Sequence, residues 1–151
     1  MQTNIIYSAF KYGASKLLYL GSACSYPKLC SQPIKESYLL QGPIEPTNEP
    51  YAIAKISGIK LCEALNKQYK TNFISAIPTN TYGPEDDFSQ DGHVIAGLIK
   101  KFYKAKVEGG DVMIWGTGKP KREFLYIDDV VEACIFLMQN YNQPEVINIC
   151  G

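Results

Sequence analysis

A tyrosine and a lysine one helical turn apart can make a proton-transfer pair, and the stretch Asn48-Glu49-Pro50-Tyr51-Ala52-Ile53-Ala54-Lys55 supplies them. Pro50 suits the first turn of a helix, where its missing N–H is not needed, and Asn48 is placed to cap it. Tyr51 and Lys55 then share one face, at i and i+4. A free tyrosine, with a pKa of about 10, is a poor acid or base near neutrality. A neighbouring ammonium favours the phenolate and brings such a phenol toward the working range. The same pattern also arises as a surface pair on an amphipathic helix, so its meaning depends on its surroundings.

Three other residues carry suitable chemistry. Ser22 follows the apolar run Lys16-Leu17-Leu18-Tyr19-Leu20 and Gly21, at the expected carboxyl end of a strand. Its hydroxyl could bond the same substrate oxygen as a phenol; the alternative is a turn serine. Cys24 lies two residues on, and a free cysteine is most often a small buried hydrophobe. His93, the only histidine, opens a helical pattern. Free thiol and imidazole pKa values of about 8.5 and 6.5 bracket neutrality.

Helical spacing predicts helices over residues 3–14, closed by Gly13, over about 50–69, over 93–106, and from Asp128 as a cap to about 139. The second of these carries Ile53, Ile56, Leu61, Leu65 and Tyr69 on its apolar side. Short apolar runs predict strands at 16–20, 72–77, 111–115 and 145–149, with 124–127 extended. Prolines at 27, 33, 43, 46 and 50 mark a long loop between the first strand and the second helix, and long loops in compact domains are usually functional. Residues 79–92 read as a second irregular, acidic loop. Alternating strands and helices imply an α/β fold with a parallel sheet, and ligands are expected at the carboxyl ends of its strands.

Composition narrows the function. Fifteen Lys and Arg balance fifteen Asp and Glu, so the basic footprint of a nucleic-acid binder is absent. Lys100, Lys101, Lys104 and Lys106 read as a solvated helix face that could also meet a phosphate. Five cysteines without a C-x-x-C pair suggest neither a disulfide framework nor a metal site, and fit reduced thiols in the cytoplasm. No apolar run reaches membrane-spanning length and no signal peptide is evident, so a soluble, intracellular protein is expected. Two further features predict the middle of a larger enzyme. No strand leads into the glycine-rich turn that brings backbone N–H groups to a dinucleotide, and the sequence stops at a strand end.

The spacing of Ser22, Tyr51 and Lys55 resembles the catalytic triad of the extended short-chain dehydrogenase/reductase superfamily. Within it the sequence is similar to the GDP-L-fucose synthase family, the GDP-4-keto-6-deoxy-D-mannose epimerase/reductases. The stretches that carry the resemblance span nearly the whole chain. They are residues 20–28 (LGSACSYPK), 45–55 (EPTNEPYAIAK), 78–84 (PTNTYGP), 93–95 (HVI), and 115–118 (WGTG) continuing to 122–124 (REF). Y-x-x-x-K alone is weak; this ordered set is specific.

The resemblance implies an NADP(H)-dependent enzyme. Its fold would be part of a Rossmann-like parallel sheet with helices, plus part of a small substrate-binding domain. Residues 1–84 and 124–151 would belong to the cofactor domain, with its glycine-rich half missing, and 85–123 to the substrate-binding domain. By the same resemblance Tyr51 would protonate the C4 carbonyl oxygen, Ser22 would polarise that carbonyl, and Lys55 would tune Tyr51 and bind the nicotinamide ribose. Cys24 and His93 would be the acid/base pair that inverts C3 and C5. Leu20, Gly21, Ser22, Ala23, Lys55, Pro78, Thr79, Asn80, Thr81 and His93 would line the cofactor. Lys101, Trp115 and Arg122 would hold the GDP-sugar. A homodimer through helices matching 3–14 and 50–69 is also implied. Ala23 and Ser25 depart from the family pattern without touching the triad. The competing readings are a related nucleotide-sugar epimerase or dehydratase and a non-catalytic dimerising piece.

Overall fold

The computed structural model describes residues 1–89, 93–114, 116–119 and 121–151. A three-stranded parallel sheet, with residues 73–78 between 17–20 and 147–149, lies between helices on both faces. Helix α1 (Gln2–Lys11) leads into β1 (Leu17–Leu20); the chain turns at Gly13, which has φ 71°. Helix α2 (Glu49–Tyr69) crosses over to β2 (Phe73–Pro78). A short strand β3 (Asn80–Tyr82), helix α3 (Val94–Glu108), strand β4 (Phe124–Tyr126) and helix α4 (Ile127–Asn140) follow, before β5 (Ile147–Ile149). β1 pairs with β2 from Leu17 opposite Phe73 to Leu20 opposite Ala76, and Ala76 to Pro78 pair with Ile147 to Ile149.

The apolar run of β2 is explained by burial on both faces, as expected of a central parallel strand. On one face Phe73 packs with Ile6 of α1 and with Cys62 and Leu65 of α2, joined by Leu17 and Tyr19. On the other, Ala76 packs with Leu137 of α4 and Ile149, joined by Leu18. Asn66 ties the α2–β2 connection: its amide donates to the Phe73 carbonyl (2.7 Å) and its oxygen accepts from the Phe73 N–H (2.9 Å) and the Thr71 hydroxyl (2.7 Å). A buried amide satisfied in this way fixes the register of the strand that follows.

The long loop between β1 and α2 contains three 3-10 turns, Ala23–Ser25, Glu36–Tyr38 and Pro46–Asn48. Tyr26 and Asn148 fasten it to the sheet. The Tyr26 hydroxyl donates to Asn148 Oδ1 (2.6 Å), Asn148 Nδ2 donates to the Ile34 carbonyl (3.2 Å), and the Asn148 N–H donates to Glu36 (2.9 Å). Burial, with the Glu36 carboxylate nearby, pushes the Tyr26 phenol up to about 12.

Several expectations are corrected. Residues 111–114 form no strand: Met113 and Ile114 stand exposed, with no paired strand to cover them. Ile53 is half-exposed and Tyr69 covers only one side of its ring, on Phe10 of α1 (centroids 4.5 Å apart), while the buried face of α2 runs through Ala52, Ile56, Ile59, Cys62 and Leu65. Asn48 occupies the cap position of α2, but its side chain makes no capping bond. Helix α4 begins at Ile127, so Asp128 and Asp129 lie in its first turn, where they favour the positive end of the helix. The expected irregular stretch after Pro78 contains β3, which pairs in parallel with β4. Among the described residues no helix is long and apolar enough to cross a membrane.

Candidate active site

The carboxyl ends of β1 and β2 bring the chemistry together. Directly after β1, the Gly21 N–H donates to the Ala76 carbonyl at 2.7 Å. A Cβ at this position would lie 2.9 Å from Ile77 Cγ1 and 3.1 Å from Ile59 Cδ1, so glycine lets the strand end pass between α2 and β2. That close passage delivers Ser22 to the mouth of the sheet. The Cys24 thiol donates to the Ser22 hydroxyl (3.1 Å) from the 3-10 turn that follows.

Helix α2 supplies the next pair. The Lys55 ammonium donates to the Leu20 carbonyl (2.9 Å) and lies 5.7 Å from the centroid of the Tyr51 ring, as the i, i+4 spacing requires. Tyr51 is 52% exposed, which leaves its phenol open to a ligand. The segment after β2 is pinned from a third side. The Thr79 hydroxyl and the Asn80 amide both donate to the Glu123 carbonyl (3.1 Å each), and the Thr79 N–H donates to the Ile149 carbonyl (3.0 Å). His93 caps α3 by position, and its carbonyl accepts from the Gly97 N–H at 2.8 Å.

These parts enclose a cavity of about 430 Å³, lined by Gly21, Ser22, Tyr51, Pro78 to Thr81, His93 to Ile95 and Phe124. Four hydroxyl-bearing residues, Ser22, Tyr51, Thr79 and Thr81, therefore share a cavity with the imidazole of His93. No carboxylate is among the described lining residues. Apolar Pro78, Val94, Ile95 and Phe124 beside the hydroxyls and amide of Thr79 to Thr81 suit a flat, neutral ring bearing polar substituents. A nicotinamide and its ribose have that chemistry, so the residues present fit such a group. A larger groove of about 690 Å³ along α4 and β5 holds none of the expected site residues.

The family model described as the NAD dependent epimerase/dehydratase family matches residues 1–150. The chain belongs to that family. A GDP-L-fucose synthase of Sinorhizobium fredii is 54% identical over 99% of this chain and 48% of its own length. A GDP-L-fucose synthase of Escherichia coli is 52% identical over 92% of this chain and 44% of its own. The crystal structure of a GDP-L-fucose synthetase from Naegleria fowleri bound to NADP superimposes with a TM-score of 0.92 at 36% identity, covering all of this chain and 50% of that one. The chain thus spans about half the length of the curated relatives it matches.

Of the expected site residues, Gly21, Ser22, Tyr51, Pro78, Thr79, Asn80, Thr81 and His93 line one cavity. Lys55 and Leu20 stand behind it, joined by their hydrogen bond, and Cys24 reaches it through Ser22. Ala23 lines a neighbouring cavity of about 300 Å³ instead, with Tyr26, Glu123 and Asn148. Lys101 and Arg122 do not line the site: the Lys101 ammonium donates to the Met113 carbonyl (3.3 Å), and Arg122 donates to the adjacent Lys121 carbonyl (2.9 Å). Trp115 lies outside the described residues. Val94, Ile95 and Phe124 also line the cavity; they stand in the resembling stretches 93–95 and 122–124, but no site role was expected of them, because only the folded chain shows which way an apolar side chain faces.

Proposed function

We propose that the chain carries the catalytic centre of a GDP-L-fucose synthase, an enzyme that epimerises GDP-4-keto-6-deoxy-D-mannose and reduces it to GDP-L-fucose with NADPH. The observation that carries this reading is the cavity itself, with Ser22, Tyr51 and His93 on its walls and Lys55 anchored behind Tyr51. The identity to relatives bearing that name supports the choice of substrate. Residues 1–84 and 124–151 form the cofactor-binding layer, a division supported by the return of β5 to the side of β2. Residues 85–123 belong to the substrate-binding part.

In this mechanism Ser22 and Tyr51 donate hydrogen bonds to the C4 carbonyl oxygen. That stabilises the enolate formed when a proton leaves C3 or C5. Inversion needs a base on one face of the sugar and an acid on the other, and Cys24 and His93 take those roles. The Ser22 hydroxyl that accepts from the Cys24 thiol is then both carbonyl donor and thiol partner. Tyr51 finally delivers its proton to the C4 oxygen, with Lys55 beside it to stabilise the phenolate. A reduced nicotinamide, when bound, supplies the hydride; Gly21, Lys55 and Pro78 to Thr81 would hold it. Lys101, Trp115 and Arg122 bind the GDP moiety.

We also propose a cytoplasmic homodimer. All five cysteines are free thiols, which supports a reducing compartment. Helices α1 and α2 pack on each other and each leaves large apolar residues exposed, Ile5 and Tyr7 on α1 and Ile53 on α2, which supports their use as a subunit face. The substrate assignment is tested by calorimetric titration of the folded chain with GDP-fucose against UDP-galactose. Selective uptake of the GDP-sugar is expected; equal or exclusive binding of the UDP-sugar overturns it.

A further inference from the structure

We infer that Tyr19 is a positioning residue of this site: its ring forms a second aromatic wall that holds the Lys55 ammonium against the Leu20 carbonyl and beside Tyr51. The Lys55 ammonium lies 5.6 Å from the Tyr19 ring centroid and 5.7 Å from that of Tyr51, while donating to Leu20 at 2.9 Å. Both rings are within the reach of a cation–π contact, about 6 Å. A lysine carries four rotatable bonds, so an ammonium that must stay beside one phenol needs more than a single partner. Here β1 supplies a carbonyl and a ring, and α2 supplies the other ring.

Tyr19 is itself held firmly. It packs against the cluster of Ile6, Cys62, Leu65 and Phe73. Its ring occupies the space over Gly58, where a Cβ would come 2.3 Å from Tyr19 Cζ and 2.5 Å from its hydroxyl. Gly58 is thus the gap in α2 that admits the ring. The hydroxyl is buried and has no hydrogen-bond partner among the described residues. Burial, with Cys62 and Tyr51 adding to it, pushes the phenol above its usual value, so Tyr19 stays neutral. The ring therefore does the positioning, and the hydroxyl is a cost. The role given to Lys55 rests on the function proposed above; its immobilisation does not.

The test is proton NMR of the Lys55 ε-methylene in the chain itself, assigned by the signal lost in Lys55→Arg. Two rings flanking the ammonium should displace this signal upfield and split its two protons. Tyr19→Phe should keep that signature and melt at or above the parent temperature. Tyr19→Leu and Tyr19→Met should shift the signal toward that of an ordinary lysine. Tyr51→Leu, at an exposed position that leaves the core intact, should keep part of the displacement, because Tyr19 still faces the ammonium. An undisplaced signal in the parent chain, complete loss in Tyr51→Leu, or no change in a folded Tyr19→Leu or Tyr19→Met overturns the inference. Because no turnover is needed, a displaced Lys55 in a chain unable to select a GDP-sugar would sink the proposed function and leave this inference standing.

Discussion

Gly58 and Cys24 show how single side chains set the chemistry of this site. Alanine is a better helix former than glycine by about 1 kcal/mol, yet Gly58→Ala should destabilise the chain. The added methyl meets the Tyr19 ring at 2.3 Å, and overpacking of this kind costs about 1–3 kcal/mol. A denaturant midpoint below the parent's checks this; an unchanged or higher midpoint would mean that the ring moves aside freely. Cys24→Ser should slow proton exchange at C3 and C5 more than it slows hydride transfer, measured by deuterium uptake and NADPH oxidation in an active full-length context. Equal slowing of both steps would remove the thiol from the acid/base pair. At this scale the sequence was informative where partners are close in the chain. The shared face of Tyr51 and Lys55 followed from their i, i+4 spacing and the strand-end place of Ser22 from the apolar run before it, while the roles given to them rest on the family resemblance. Tyr19 could not, because its meaning depends on a glycine far along another element.

Elements were legible where burial imposes a period, and obscure where it does not. Central β2 reads as a continuous apolar run because helices cover both of its faces. Residues 111–114 have similar composition, but apolar composition alone does not make a strand without a neighbour to pair with. Of the apolar side expected for α2, Ile56 and Leu65 are buried and Leu61 packs on the core, whereas Ile53 stands half-exposed; the buried stripe also includes Ala52 and Cys62, each fully covered, whose small side chains carry little apolar signal. The loop between β1 and α2 is ordered by Asn148, which lies far from it in sequence. Asn148→Ala should therefore loosen residues 26–38 selectively, seen as faster amide exchange there than in β2. The same anchor makes a pH prediction. Tyr26 is raised from 10 to about 12, so the neutral phenol is favoured in the folded state. Its contribution is complete below pH 10, where both states hold the proton, and is lost as the pH rises through about 12. Tyr26→Phe should be less stable than the parent at pH 8, with the gap narrowing as melts are repeated toward pH 12. A constant gap would show that the phenol does not titrate differently in the two states.

At the scale of the whole molecule, the parallel sheet and its two helical layers position a site that faces outward from strand ends. The α/β class and the location of the site were readable from alternating elements and from Gly21-Ser22 after a strand. The β3–β4 pair was not, since three-residue strands leave too little pattern to detect. Tyr51, in the function proposed above, is the proton donor for reduction of a GDP-keto sugar. The most direct measurement is NADPH oxidation with GDP-4-keto-6-deoxy-D-mannose in a chimera, with this chain replacing the matching segment of the Sinorhizobium fredii relative, which is 54% identical over 99% of the chain. The parent chimera should turn over, and Tyr51→Phe should bind the substrate about as well while losing reduction by about 100-fold or more, in the range typical of removing a general acid. Tyr51→Phe turning over at the parent rate would contradict the account at its centre.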